Sequence, residues 1–528
     1  MPHAVRVRRR RKCGGGDPPP SDRTERGRFG RRRAGRNVET AMRAAAMAIV
    51  MATAWSAGGG EDGWIDLFDG RTLDGWKASE HAETWQIVDG CLTARGPSSR
   101  LFYAGAIGGH DFRNFELEIE ARTGPGADTG VFFHTECRVS EAPQKGYEVQ
   151  IGDACPCEGA KRAVRHAGSL SAVRDLAPRF VGDGEWFRLR IRVTGPRVRV
   201  HVNEQPTVDY LQPETPARRA ELADRLLSHG TIALRAHRTG NAVAFRRIAI
   251  RLLPDDADPS EPPRASDRGY GVTGDRMDRL AAAGIPFVDH HIHIRGGMTV
   301  EKAVDRQAVT GIGSGVLENL GTGWPIVTDE QLGAFIDRAA GKPVFVGVQV
   351  NDRDWHLKHS PDVLKRLDYV LADTMIMAMP DDDSPPVKLW MPDLYRIDDP
   401  ERWMERYLRH TLRVLSEPID ILAHPTYLPP AVKDRYDQLW TDERMKRVIE
   451  KAVEKGIALE IQARSEYPKE RFIRMAKAMG AKFSFGSNNF DDQPIDMTRC
   501  LETIEKFGLT REDLFVPVSK KPRPGPSK

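Results

Sequence analysis

Apolar and charged residues alternate with a period of two through much of the first half of the chain. Phe115, Leu117 and Ile119 alternate with Glu116, Glu118 and Glu120; Phe187, Leu189, Ile191 and Val193 alternate with Arg188, Arg190 and Arg192. Val198, Val200 and Val202 alternate with Arg197, Arg199 and His201. Successive side chains of a strand point to opposite faces, so the pattern predicts antiparallel strands buried on one face only. Asp69-Gly70, Asp74-Gly75, Asp89-Gly90, Gly124-Pro125 and Gly195-Pro196 supply turns between them. Short strands without intervening helices predict a two-sheet sandwich over residues 62–253.

Beyond a polar, proline-rich connector, residues 254–268, the pattern changes. Such a connector is expected to be stiff enough to hold two bodies apart. Apolar runs at 287–294, 315–317, 344–350, 369–375, 419–423, 457–461 and 483–485 now alternate with amphipathic segments such as 401–415 and 442–455. That alternation predicts a parallel α/β barrel over residues 269–517, and the strand count is seven.

The chain has 528 residues, 40% apolar and 29% charged, enough for two substantial cores. Its formal charge of +4 conceals an asymmetry: residues 1–41 hold thirteen Lys and Arg against four Asp and Glu, so the remainder carries −5. The run 8–12 is read as part of a solvated, disordered leader, and an acidic body offers no groove for nucleic acid. Residues 42–54 have the short apolar core and small-residue ending of a signal peptide, with Met42 as an alternative start. A secreted or periplasmic protein with no integral membrane segment after cleavage is expected. Cys137, Cys155 and Cys157 lie close enough for one disulfide in an oxidising compartment, and the tail 518–528 is expected to be disordered.

Candidate chemistry in the sandwich centres on the strand 146–151, where Glu148 and Gln150 share one face and Tyr147, Val149 and Ile151 the other. Glu148, His134 and His237 form the candidate catalytic set; Gln150, Asp153 and Arg122 are the candidate substrate contacts. Trp64, Trp76 and Trp186 are read as core residues. Trp64-Ile-Asp-Leu-Phe-Asp-Gly70, Leu73-Asp-Gly-Trp76, Trp85-Gln-Ile-Val-Asp-Gly90, Gly130-Val-Phe-Phe133, Gly146-Tyr-Glu-Val-Gln-Ile151 and Gly184-Glu-Trp186 follow in order. This series resembles the landmarks of the 3-keto-disaccharide hydrolase domain, with Asp128-Thr-Gly130 standing where the family has Asn-Ser-Gly. The resemblance implies a concanavalin A-like jelly roll from a secreted carbohydrate-degrading protein. It also implies a reaction in which a base removes the acidic proton beside a 3-keto group and the glycosidic partner is expelled. A carbohydrate-binding sandwich without turnover is the alternative.

In the barrel, His291 and His293 end the apolar strand 287–294 on one face, with Asp289 placed to orient an imidazole. Asp289-His-His-Ile-His293, Pro343-Val-Phe-Val-Gly-Val-Gln349, Ile419-Asp-Ile-Leu-Ala-His-Pro425 and Gly486-Ser487 resemble pieces of the PHP superfamily, the polymerase and histidinol-phosphatase type of metal-dependent phosphoesterase. The resemblance implies a distorted (β/α)7 barrel. Where active members carry ligands, this chain has Asn319, Leu320, Gln349, Met375, Asn488 and Phe490, leaving His291, His293 and His424. A multinuclear cluster needs carboxylates, so the phosphoesterase centre is expected to be lost. No cofactor is required; one divalent ion such as zinc remains open, with Glu318, Asp491 or Asp492 within reach. The expected function is a hydrolase of 3-keto-glycosides acting through the sandwich. The alternative joins a non-catalytic binding sandwich to a one-metal hydrolase of PHP or amidohydrolase type, the latter also opening with a His-x-His strand.

Overall fold

A computed structural model describes residues 62–138, 145–153, 165–237, 239–259 and 269–517. The leader, the 42–54 segment, Cys155, Cys157, part of the connector and the tail lie outside the described residues. Cys91, Cys137 and Cys500 are free thiols. Among the described residues no helix is long and apolar enough to cross a membrane.

The first half is a sandwich of two antiparallel sheets. The larger runs β11 (Gln205–Leu211), β10 (Arg197–Val202), β9 (Trp186–Thr194), β6 (Phe115–Thr123), β13 (Thr239–Leu252), β4 (Cys91–Gly96) and β3 (Trp85–Val88), with β1 (Ile65–Asp66) paired to β13. The smaller runs β2 (Trp76–Ala78), β5 (Ser99–Tyr103), β12 (Thr231–His237), β7 (Asp128–Thr135) and β8 (Tyr147–Gln150). The alternating apolar positions Phe115, Leu117, Ile119, Leu189 and Ile191 meet Val131, Phe133, Val149 and Leu234 from the other sheet in one core. Trp76 is buried and its indole N–H donates to the Leu67 carbonyl at 2.7 Å.

The charged face of the larger sheet departs from expectation, because Glu116 and Glu118 are buried too. The register sets Glu116 opposite Arg192, Glu118 opposite Arg190 and Glu120 opposite Arg188, while Arg247 and Arg251 close in from β13. Long arginines lie over short glutamates and cover them, and Trp64 packs beneath Arg190, Arg247 and Arg251. Trp186 lies under Arg122 and Arg246 on the same sheet, so neither tryptophan is a core residue.

In the second half, β14 (Val288–His293), β15 (Gly313–Leu320), β16 (Phe345–Val350), β17 (Tyr369–Ala372), β20 (Ile421–Leu422), β21 (Ala458–Gln462) and β22 (Phe483–Gly486) close a seven-strand parallel barrel. A hairpin of β18 (Ile376–Ala378) and β19 (Pro386–Lys388) rises after β17. Helices before and between the strands start where threonine hydroxyls cap free backbone N–H groups, at Thr273, Thr299, Thr328 and Thr441. Inward-facing Val288, Leu317, Phe345, Tyr369, Leu371, Ile421 and Ala458 fill one end of the barrel. Further along the same parity, Asn319, Gln349, Asp373, Glu460 and Gln462 are polar, so polar side chains gather at the carboxyl ends of the strands.

The connector does not hold the two bodies apart. Asp278, on the helix Gly274–Ala283 that precedes the barrel, is wholly buried against the sandwich. It accepts from Arg174 at 2.7 Å, from the Tyr210 hydroxyl at 2.9 Å and from Arg218 at 3.0 Å.

Candidate functional site

On the outer face of the smaller sheet, register brings a charged cluster together. Gly130 on β7 lies between Arg235 on β12 and Gln150 on β8, and His237 lies opposite Asp128. Arg235 reaches across Gly130, its Nε 2.5 Å from Glu148 Oε1 and its Nη2 2.6 Å from Asp128 Oδ1. The crossing requires glycine: a Cβ at position 130 would stand 2.6 Å from Glu148 Oε1 and 3.0 Å from the Val149 carbonyl. Gln150 donates to Asp128 Oδ1 at 3.1 Å. Burial disfavours the guanidinium charge of Arg235, but Glu148 and Asp128 outweigh it and hold the proton on more tightly.

Glu148 is held by one oxygen only. Its Oε2 has no hydrogen-bond partner among the described residues, and the side chain is 12% exposed. Nearby, Arg225 lies over the Phe132 ring at 4.8 Å with its Nη1 buried and unpartnered among the described residues. Burial lowers its pKa, which leaves a cationic donor not yet spent on a protein acceptor. At the edge, Asp153 pairs with His166 at 2.9 Å and Arg179 at 2.7 Å.

Four of the six sandwich residues singled out from sequence thus reach this region: Glu148, Gln150 and His237 on the face, and Asp153 at its edge. Ser98 Oγ lies 2.6 Å from His237 Nδ1. Two do not. His134, one residue before the end of β7, has a left-handed conformation, φ 54°, which takes it off the strand's alternation and into the interior. Its Nε2 meets the Arg113 carbonyl at 2.8 Å and its Nδ1 accepts from the Ser228 N–H at 3.1 Å; burial lowers its pKa to about 4. A neutral imidazole with both nitrogens engaged is no base for this face. Arg122 belongs to the other sheet, its guanidinium 4.9 Å above Trp186. Asp128, Arg235 and Arg225 were not foreseen. Arg235 had a signal, a single charge inside the apolar strand 231–237.

The barrel mouth also departs from the sequence reading. Asp289 orients no imidazole; it pairs with Arg306 at 2.8 Å and accepts from the Ser487 N–H at 2.9 Å. Glu460 takes that role, 2.6 Å from His291 Nδ1, in a space that a side chain at Gly486 would fill. Burial works against the imidazolium of His291, but Glu460 reverses the balance and raises its pKa, whereas burial lowers His424 and His293. The mouth is not emptied of negative charge, since Glu460, Asp373 and Glu318 are buried there. Glu318 pairs with Arg295 at 3.0 Å and Asp492 with Lys302 at 2.5 Å. Among the described residues the one group suited to a metal ion is His291, His424 and Glu460, with ligand atoms within 4.8 Å of one another. Two imidazoles and a carboxylate fit a single zinc-like ion and not a cluster. His293, whose Nδ1 accepts from Arg295, stands outside the group.

The profile of the 3-keto-alpha-glucoside-1,2-lyase-like domain matches residues 63–251. A 3-keto-disaccharide hydrolase of Bacteroides thetaiotaomicron is 26% identical, the match covering 36% of this chain and 79% of that protein. A Parabacteroides distasonis protein provisionally described as a glycosyl hydrolase is 19% identical, with a TM-score of 0.31 over 37% of this chain and 95% of its own. The carbohydrate-binding module CBM66 of Bacillus subtilis is 12% identical, with a TM-score of 0.23 over 34% of this chain and 95% of its own. Residues 63–251 are similar to a 3-keto-disaccharide hydrolase domain, and the family match ends before the barrel begins.

Proposed function

We propose that the sandwich cleaves glycosides whose sugar carries a ketone at its third carbon, with Glu148 as the base. The observation that carries this reading is the half-held carboxylate: Arg235 fixes Oε1 and leaves Oε2 open on a face of the matched domain. Glu148 Oε2 takes the proton from the second carbon, which the adjacent ketone makes acidic. The ketone oxygen, gaining negative charge, finds donors in Arg225 and Arg235. The electron pair then forms a double bond between the first and second carbons, and the bond to the glycosidic oxygen breaks. The departing alkoxide recovers the proton from Glu148. Water added across the new double bond completes a net hydrolysis.

Glu148→Gln keeps the shape and removes the base, so turnover of a 3-keto-glycoside should fall by about 10²–10⁴-fold with the fold intact. Equal turnover by the variant and the unmodified chain would sink the assignment. We also read the chain as secreted or periplasmic, from residues 42–54; a mature amino terminus near Trp55 is the check.

A second reading rests on the group His291, His424 and Glu460. It makes the sandwich a sugar-binding module and the barrel a PHP-like hydrolase using one metal ion, whose Lewis acidity would polarise the scissile group. One tightly held ion per chain, with hydrolysis that survives Glu148→Gln, would favour it.

A further inference from the structure

We propose that the barrel mouth is a binding pocket for a sugar carrying one carboxylate, a site separate from the cluster around Glu148. The pocket has a volume of about 530 Å³. That suits a small ligand such as a disaccharide. Trp324, Trp390, Tyr427, Tyr467 and Phe490 line it, and Trp390 and Phe490 keep 38% and 57% of their surface exposed. Large aromatic faces left in water around a concave site match the apolar faces of a pyranose ring.

The floor is built from amides that are only partly spent on one another. Asn319 donates to Gln349 at 3.1 Å and to Asn351 at 2.9 Å, and Gln349 donates to Asp373 at 2.5 Å. Among the described residues the amide nitrogen of Asn351 and the amide oxygen of Gln462 have no protein partner, and both residues line the pocket. A donor and an acceptor left over in this way suit hydroxyl groups.

Charge selects among sugars. Three cationic side chains line the pocket, Arg295, Lys388 and Arg464, against one carboxylate, Asp373. Arg295 is matched by Glu318. Lys388 and Arg464 have no carboxylate partner among the described residues and rest on aromatic rings. Lys388 Nζ is 4.7 Å from the Trp324 ring and 5.8 Å from Trp390, and the Arg464 guanidinium is 4.9 Å above Phe490. Cation–π contact orders such groups without neutralising them. They also stand apart: Lys388 follows β17, the fourth strand of the closed order, whereas Arg464 and Phe490 follow β21 and β22, the sixth and seventh. Single cations at separate points of a rim fit one negative charge. A dianionic phosphate set deeper would meet Asp373 and Glu460.

Titration calorimetry on the full chain with galacturonate, which carries one carboxylate, its methyl ester and galactose 6-phosphate tests the proposal. Galacturonate should bind at least tenfold more tightly than the ester, which has the same shape without the charge. Lys388→Ala with Arg464→Ala should abolish that preference, and Trp390→Ala should weaken acid and ester alike; all three positions are exposed, so the variants should fold. The proposal is overturned if the ester equals the acid, if galactose 6-phosphate binds more tightly, if nothing binds, or if the double variant keeps the preference.

Discussion

Replacing Asp278 with alanine removes the anion on which the contact between sandwich and barrel is built. The carboxylate has no exposed surface, and the side chains of its partners Arg174 and Arg218 are 9% and 4% exposed. Deleting one member of a buried ion pair costs about 3–5 kcal/mol, because the remaining charge stays out of water without compensation. Here two guanidiniums are stranded, and both also pack against Tyr210, at 4.7 Å and 5.8 Å from its ring. The Tyr210 hydroxyl loses its acceptor, for about 1 kcal/mol more. We expect Asp278→Ala to lower stability by about 4–6 kcal/mol, read by calorimetry together with hydrogen exchange across the helix Gly274–Ala283. The two bodies need not unfold in one step, so exchange shows which loosens. Asp275→Ala, on the exposed side of that helix, is the control and should cost a few tenths of a kcal/mol. If both variants lose the same amount, the buried network is not what joins the two bodies.

Three shorter expectations follow from the sandwich. His134 has its pKa lowered to about 4 by burial, so it is neutral in the fold, whereas in the unfolded chain it binds a proton near pH 6.5. Its contribution is therefore complete above pH 6.5 and is lost as pH falls toward 4, a change of about 3 kcal/mol. Thermal midpoints between pH 7 and 4 should fall less steeply in His134→Gln, and parallel slopes would contradict the assignment. Gly130→Ala places a carbon against Glu148 and the Val149 carbonyl; about 1–3 kcal/mol of stability should go, and 3-keto-glycoside turnover should drop further than folding explains. Glu118→Ala releases Arg190 and Arg247, which are 37% and 36% exposed, so water absorbs much of the effect. A loss near 1 kcal/mol that shrinks in high salt is expected by denaturant titration.

The strands of both halves were legible because burial imposes a period: two on the one-sided sheets, continuous apolar runs in the barrel. Function was less legible, because single charges inside apolar runs have no period. Glu460 sits in Ala458-Leu-Glu-Ile-Gln462 and Asp373 just beyond β17, and only the ring of neighbouring strands shows that both face inward. His134 misled because one left-handed residue breaks the alternation on which strand parity depends. Arg122 misled because parity assigns a face but not a sheet. The connector's composition could not show the contact between the two bodies, because Asp278 meets Arg174 from about a hundred positions away, beyond any local pattern.

The two centres share one construction, and the difference between them decides where acid–base chemistry can occur. In each, a carboxylate on a strand face lies in space kept open by a glycine on the neighbouring strand: Glu148 over Gly130, Glu460 against Gly486. In each, a cation or imidazole holds Oε1, Arg235 in the first and His291 in the second. The second oxygen separates them. Glu460 Oε2 accepts from the His424 N–H at 3.3 Å and the residue has no exposed surface, so no substrate proton can reach it. Glu148 Oε2 is unpartnered among the described residues on a side chain 12% exposed. Of the two carboxylates, Glu148 is therefore the one open to a ligand's proton, and the barrel's carboxylate favours the protonated form of an imidazole. The pocket we propose in the barrel lies above that pair, where the aromatics stand with two cations that have no carboxylate partner among the described residues.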